Sequence, residues 1–299
     1  MINRAGLGIV CALAATVFYG LVPNFVRGGF DNGVAAVETT FFRTAFIGVV
    51  LAIVAVLLGD RFTIPRQAFA SFVSQASATL IVSVGYLASV QFIPVGLAAI
   101  IFFTFPVIIM LAAPVIEGHS PGFIRIAVAV FAFAGLAVSV GPSFDSLDIR
   151  GIVLAAAAAA FCAVQFFSGR SISKFMAPAA FGSLVHLTIL PATLAIAVVA
   201  GSGKISFFPG GAASMTGLAC MVAVGVLYVG GYFLHMQSLR YAPASTVAPF
   251  FNLEPMIATA VAALFLGERL AMNQYVGGGM VLAALAASSF VRSRKMVAP

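Results

Sequence analysis

The chain has 299 residues, of which 62% are hydrophobic and 8% charged, with a mean hydropathy of +1.15 and a formal charge of +7. Ordinary globular domains are roughly 25% charged, so no soluble enzyme or binding domain fits, and without a basic patch the surplus of Lys and Arg does not describe a nucleic-acid surface. Cys11, Cys162 and Cys220 stand singly in apolar segments, with no CxxC and no neighbouring His, and read as small core residues.

Ten apolar stretches approach the ~20 residues that cross a hydrocarbon core of roughly 30 Å. They are 5–26, 33–58, 67–91, 95–116, 121–140, 150–171, 178–200, 214–239, 243–266 and 271–291. The segments between them, such as "GGFDNG", "GDRFTIPR", "GPSFDSLD" and "GSGKISFFPGG", carry turn formers and charges. The first stretch has Arg4 before it and "CALAA" inside it, as a signal peptide does, but it continues for a full span and is read as a retained helix. Near its end Asn24 follows Pro23, placed either to touch a substrate or to act as a cap or turn residue.

Ionisable groups at membrane depth are costly unless they face protein or water. In the second span Arg43 either meets a substrate carboxylate or snorkels to the boundary. Glu38 is five residues away and about 140° round the helix, a poor local partner. In the seventh span His186 is a candidate near-neutral titrating group, a packed core histidine being the alternative. The loop "AGSGKIS" at 200–206 resembles a phosphate loop, but Val198 and Ile205 occupy positions where Gly and Ser or Thr are required.

The eighth span presents Tyr228, Tyr232 and His235 at i, i+4 and i+7, one stripe on one face. Such a stripe forms either a cavity wall suited to an amphiphilic or aromatic substrate, or interhelical hydrogen bonds. In the ninth, Glu254 lies about eleven residues into its span, near the bilayer midplane. It precedes Pro255, whose missing N–H is expected to leave the carbonyl of Phe251 free and bend the helix. Glu254, with Asn252 beside it, could hold a substrate ammonium or carry a proton; the alternative is a helix-fastening carboxyl. In the tenth span Gly279, Ala283 and Ala287 form a small-residue face for close packing, within the protein or in a dimer.

An internal repeat runs through these spans. Pro94, Pro106 and Gly118 are spaced twelve apart, Pro243, Pro255 and Gly267 repeat the spacing, and the offset is 149 throughout. At that offset Tyr228, Tyr232 and His235 fall on Thr79, Ser83 and Tyr86, again a polar stripe, whereas Glu254 falls on Phe105. Ala99 meets Ala248, Phe102 meets Phe251, Ala113 meets Ala262 and Leu136 meets Leu285. Phe102, Phe105 and Phe251 flank the prolines and are kept as cavity candidates among otherwise lipid-facing or packing Phe clusters. The expected fold is all-α integral membrane, ten transmembrane helices as two inverted five-helix repeats, 1–144 and 145–299, because an odd number of spans turns the second half over.

The stretch "SLRYAPASTVAPFFNLEPMIATAVAALFLGERLAMNQYVGGGMVLAALA", with "FFRTAF" in the second span, resembles the drug/metabolite transporter superfamily, EamA type. The resemblance covers essentially the whole chain, and it implies ten helices in two inverted halves and export of amino acids or other small amphiphiles. Among branches the chain is most similar to the aromatic amino-acid exporters.

Ten Lys and Arg fall on the face that holds the termini: Arg4, Arg61, Arg66, Arg125, Arg170, Lys174, Arg240, Arg292, Arg294 and Lys295. Four, Arg27, Arg150, Lys204 and Arg269, fall on the other. The positive-inside bias therefore predicts cytoplasmic termini, and the expected location, with the family resemblance, is a bacterial-type inner membrane. The absence of HExxH, GxSxG or an Asp cluster argues against an enzyme, and neither cofactor nor metal is expected. The expectation is an exporter of aromatic or neutral amino acids or similar amphiphiles, by alternating access. A multidrug or other metabolite exporter, a passive facilitator or channel, and a structural membrane subunit are the alternatives. Thr79, Ser83, Tyr86, Phe102, Tyr228, Tyr232, His235, Asn252, Glu254, Asn24 and His186 are the candidate binding residues. Pro94, Pro106, Pro243 and Pro255 are the candidate hinges. The partners are a small-molecule substrate, the lipid bilayer and, if Glu254 relays them, protons; no nucleic acid is expected, and the protein is a monomer or homodimer.

Overall fold

A lipid-exposed backbone must satisfy its own hydrogen bonds, which leaves a helix or a closed barrel as the spanning element. In the computed structural model, which describes residues 4–118, 122–141, 148–201, 213–265 and 271–290, the described residues are helical with short connections. The helices are α1 (Arg4–Phe30), α2 (Ala36–Leu58), α3 (Arg66–Ser89), α4 (Val95–Phe102), α5 (Phe105–Ile116), α6 (Phe123–Val140), α7 (Ile149–Ile172) and α8 (Pro178–Ala200). They continue with α9 (Met215–Tyr241), α10 (Ala244–Val247), a 3-10 stretch (Ala248–Leu253), α11 (Glu254–Phe265) and α12 (Met272–Phe290). Among the described residues, nine spans are long and apolar enough to cross a membrane, counting α4 with α5 and α10 with α11 as one each, and α12 adds 19 residues. This is an all-helical, multi-pass membrane protein. Gly267, Lys204, Arg269, Arg292, Arg294, Lys295 and the phosphate-loop look-alike beyond Gly201 lie outside the described residues, as does the side chain of Leu285.

Each helix of the first half packs chiefly against one of the second: α1 on α9, α2 on α8, α3 on α7 and α6 on α12. Small residues permit the close approach that holds helices together where lipid is as apolar as any core. A Cβ at Gly230 would stand 2.5 Å from the Phe18 ring, and one at Gly231 would stand 2.7 Å from the Tyr19 ring. The same packing carries α1 past its expected end, since Gly28 and Gly29 lie against Cys220 and Met221 of α9 and the Asn32 amide donates to the Gly28 carbonyl at 2.9 Å. Between α3 and α7 the contact is polar. The Ser168 hydroxyl donates to Gln75 at 2.6 Å, the Gln165 amide to Thr79 at 2.9 Å and the Ser71 hydroxyl to Ser171 at 2.9 Å.

Two spans are broken in the same register. Val95 opens α4 and Ala244 opens α10, Phe105 opens α5 and Glu254 opens α11, each pair separated by the 149-residue offset. The four prolines sit at these openings. Pro94 and Pro243 are the N-caps of α4 and α10, while Pro106 and Pro255 are the second residues of α5 and α11. A missing N–H costs little there, so the breaks are segment boundaries and not kinks in a continuous helix. One expectation is corrected: the Phe251 carbonyl is not free, because the 3-10 geometry brings the Glu254 N–H to it.

Of the two alternatives for the small-residue face of α12, packing within the protein is not the one observed. Gly277, Val281 and Ala284 are the buried positions, and a Cβ on Gly135 of α6 would stand 2.8 Å from the Gly277 carbonyl. Gly279, Ala283 and Ala287 point outward, and nothing lies within 4 Å of where a Gly279 side chain would begin. Within the protein the packed set is the neighbouring one, where Gly277 of α12 meets Gly135 of α6 backbone to backbone.

Candidate functional site

Between the halves lies a cavity of about 650 Å³, within the range of roughly 300–1,000 Å³ usual for small-molecule sites. Its lining reaches Arg27 and Phe30 at the end of α1, Thr39 at the start of α2, Val90 just past α3 and Val95 at the start of α4. All of these lie at the end of the bundle opposite the N-terminus. The cavity therefore opens away from the terminal face.

Toward the terminal face it is floored by aromatic rings from four elements. Phe166 of α7 packs on Phe105 of α5 at 5.3 Å between ring centres, on His235 of α9 at 4.3 Å and on Phe251 of the 3-10 stretch at 5.1 Å. His235 in turn packs on Phe251 at 4.7 Å. Beyond the floor is a charged layer. Glu117, just past α5, accepts from the Ala244 N–H at 2.7 Å and the Ser245 hydroxyl at 2.7 Å, capping α10 from the other half of the chain. Arg170 of α7 approaches Glu117 at 3.5 Å and donates to the carbonyls of Leu239 and Ala242 at 2.6 Å each. Arg125 of α6 reaches Thr246 at 3.4 Å. A carboxylate at a helix N-terminus, joined to a guanidinium that caps a helix C-terminus, fastens this end shut in the captured state.

The expected binding residues divide. Both stripes reach the cavity: Thr79, Ser83 and Tyr86 from α3, and Tyr228, Tyr232 and His235 from α9. Phe102, His186 and Glu254 line it too, with Phe105, Phe251 and Pro255. The stripes are also structural in part, since Thr79 accepts from Gln165 and donates to the Gln75 carbonyl at 2.7 Å. His186 is buried, with Nδ1 at 2.7 Å from the Gly182 carbonyl and its ring edge-on to Tyr232. Asn24 and Asn252 are not brought to the cavity. The Asn24 amide donates to the Ala258 carbonyl at 3.2 Å, tying α1 to α11, and Asn252 is fully buried in the 3-10 stretch.

Sequence reasoning left out the lining residues Tyr19, Thr40, Thr44 and Gln165, and for Arg43, which also lines the cavity, it held open a substrate carboxylate and the membrane boundary. Each is a polar or charged residue inside an apolar span, the same signal that singled out the others. Arg43 does not snorkel to the boundary. Its Nη1 donates to the Tyr228 hydroxyl at 2.6 Å and its Nη2 to the Ser83 hydroxyl at 2.8 Å, and the guanidinium carbon lies 4.3 Å from the centre of the Tyr228 ring.

A one-ended central cavity between two sets of paired helices is a transporter's architecture, and the comparison with known families agrees: the EamA-like transporter family matches residues 6–141 and 149–290. The chain belongs to that family. A crystal structure of a protein 13% identical superposes on this EamA-like chain with a TM-score of 0.82, covering 97% of it and 98% of the other. At that identity the likeness speaks for the fold. The threonine/homoserine exporters RhtA of Escherichia coli (strain K12) and Salmonella typhimurium (strain LT2) are each 29% identical to it. They match over 66% and 69% of this chain, and over 63% and 66% of their own lengths. The similarity thus spans just under two thirds of those relatives.

Proposed function

We propose that this protein exports neutral amino acids, aromatic or small, or similar small amphiphiles across the inner membrane by alternating access between two inverted five-helix halves. The observation that carries the reading is the cavity, open at one end and closed at the other by the aromatic floor and the Glu117–Arg170 layer. Exchanging each span of one half for its counterpart in the other leaves the set of helix pairings unchanged, and the two broken spans share one register. Both features favour a pseudo-twofold design in which the same rocking closes one face as it opens the other. The Lys and Arg bias supports a cytoplasmic terminal face, so the cavity as captured faces outward. The amino-acid reading draws on the relatives named for threonine and homoserine and on a lining that combines aromatic rings, hydroxyls and a few charges. Export also fits better than a channel, since the described residues that line the cavity include no ring of like charges.

The test is flux in proteoliposomes with labelled threonine, homoserine, phenylalanine and tyrosine beside nucleobases and cationic drugs. Amino-acid uptake stimulated by amino acid on the other side is expected. Transport of another class with no amino acid carried, or ohmic conductance without counterflow, overturns the proposal.

A further inference from the structure

The cavity wall contains a permanent cation with only neutral contacts. Among the described residues no carboxylate forms an ion pair with Arg43; the groups that touch it are the hydroxyls of Ser83 and Tyr228 and the Tyr228 ring. A guanidinium has five N–H donors in a rigid fork. Two are used here, one on each terminal nitrogen, and both bonds fix the plane of the fork. Seven residues into α2, Arg43 lies about 10 Å along the helix from its start at 1.5 Å per residue, a depth at which an uncompensated charge is costly. Glu254, at the break between the 3-10 stretch and α11, lines the same cavity. Among the described residues nothing hydrogen-bonds to its carboxylate, and it does not pair with Arg43. Arg43 and Glu254 thus line one cavity without a direct ion pair between them.

We infer that Arg43, oriented by Ser83 and Tyr228, is the binding site for a substrate carboxylate and that Glu254 binds the substrate ammonium, so that the cavity selects zwitterions over simple amines or simple acids. This rests on the amino-acid reading above and deepens it. The Arg fork suits a carboxylate, for which two parallel N–H···O bonds are available at once. Its support is drawn from both halves: Arg43 and Ser83 come from the first, Tyr228 from the second, and Glu254 from the second. A bound zwitterion therefore bridges the halves. Neither charge is duplicated at the repeat offset, since Arg43 maps on Ala192 and Glu254 on Phe105, so the site holds one substrate in one orientation.

The experiment is counterflow in proteoliposomes of the full chain, with labelled threonine and phenylalanine as the zwitterions. The competitors are the matching amino alcohols, which lack the carboxylate, and the N-acetyl amino acids, which lack the ammonium. In the unmodified protein both competitors should inhibit far less than the zwitterion. Arg43→Gln should raise the zwitterion's KM roughly tenfold to hundredfold, as for loss of a charge-assisted hydrogen bond, while inhibition by the amino alcohol stays unchanged. Glu254→Gln should do the converse, sparing the N-acetyl competitor. Arg43→Lys should recover only part of the affinity, because charge returns without the fork. If Arg43→Gln does not yield folded protein, Ser83→Val leaves the cation but loosens its orientation, and the same selective rise in KM is expected. Amino-acid transport in which Arg43→Gln or Ser83→Val weakens zwitterion and amino alcohol alike overturns this inference and leaves the transport reading standing. Absence of all amino-acid transport overturns the transport reading first.

Discussion

Tyr232 illustrates how single residues shape the cavity through what lies behind them. Its ring stands edge-on to His186 at 4.8 Å and to Phe181 at 6.5 Å, and Gly182 of α8 sits directly against it. A Cβ at Gly182 would be 2.6 Å from Tyr232 Cε1 and 2.8 Å from Leu51 Cδ1. Gly182→Val is therefore expected to push the Tyr232 ring from the wall, at a cost of about 1–3 kcal/mol as for other overpacked cores. A lower melting temperature of the purified protein and a raised KM for the transported substrate would register it. The same melting temperature with unchanged KM would mean that Leu51 gives way and the ring stays.

At the scale of elements, the contact between α6 and α12 is close enough to leave no room for a side chain. α6 and α12 meet through Gly135 and Gly277, where a Cβ on Gly135 would stand 2.7 Å from Met280 Cβ and 3.0 Å from the Val281 nitrogen. Gly135→Leu should hold the two helices apart and lower the yield of monodisperse protein, measured by size-exclusion chromatography in detergent. Gly279→Leu, on the outward face of α12, should leave the yield unchanged. The broken spans follow another logic. Prolines at the openings of α4, α5, α10 and α11 remove N–H groups that had no intrahelical partner, so the breaks are built at low cost where the cavity needs side chains from irregular backbone.

For the molecule as a whole, the contrast between its two ends matters most. The terminal face is held by Glu117, Arg170 and the start of α10, and the Glu117 side chain is only 6% exposed there. By the repeat offset, Glu117 maps on Leu266 and Arg170 on Leu21, so no equivalent charged pair is encoded for the opposite face. Removing one partner of a buried pair costs about 3–5 kcal/mol. Glu117→Ala should accordingly shift the population toward states open at the terminal face. A cysteine placed at Val247, fully buried here, should then react faster with a membrane-impermeant maleimide applied from that side. An unchanged labelling rate would show that the aromatic floor alone closes this end.

The sequence by itself determined where the chain crosses the bilayer, because crossing depends on a local property, the length of an apolar run, and every described span lies within a few residues of its expected position. It marked the places of the breaks as well, since Pro255 and Pro106 act on their own backbone, though as bends and not as segment boundaries, and it singled out Glu254 as a charge without a counterpart in the other half. It did not determine which face of each helix looks inward. In a bilayer the outer surface is as apolar as the core, so the amphipathic period that marks the buried face of a soluble helix is weak. For that reason the spacing of Gly279, Ala283 and Ala287 does not tell packing within the protein from packing in a dimer, and the polar character of Asn252 and Asn24 does not tell a cavity wall from a buried or interhelical position. Only the tertiary structure brought Arg43 to Ser83 and Tyr228, which lie 40 and 185 residues further along the chain. Close packing of helices through glycine and alanine set those distances, and no local pattern in the chain encodes them.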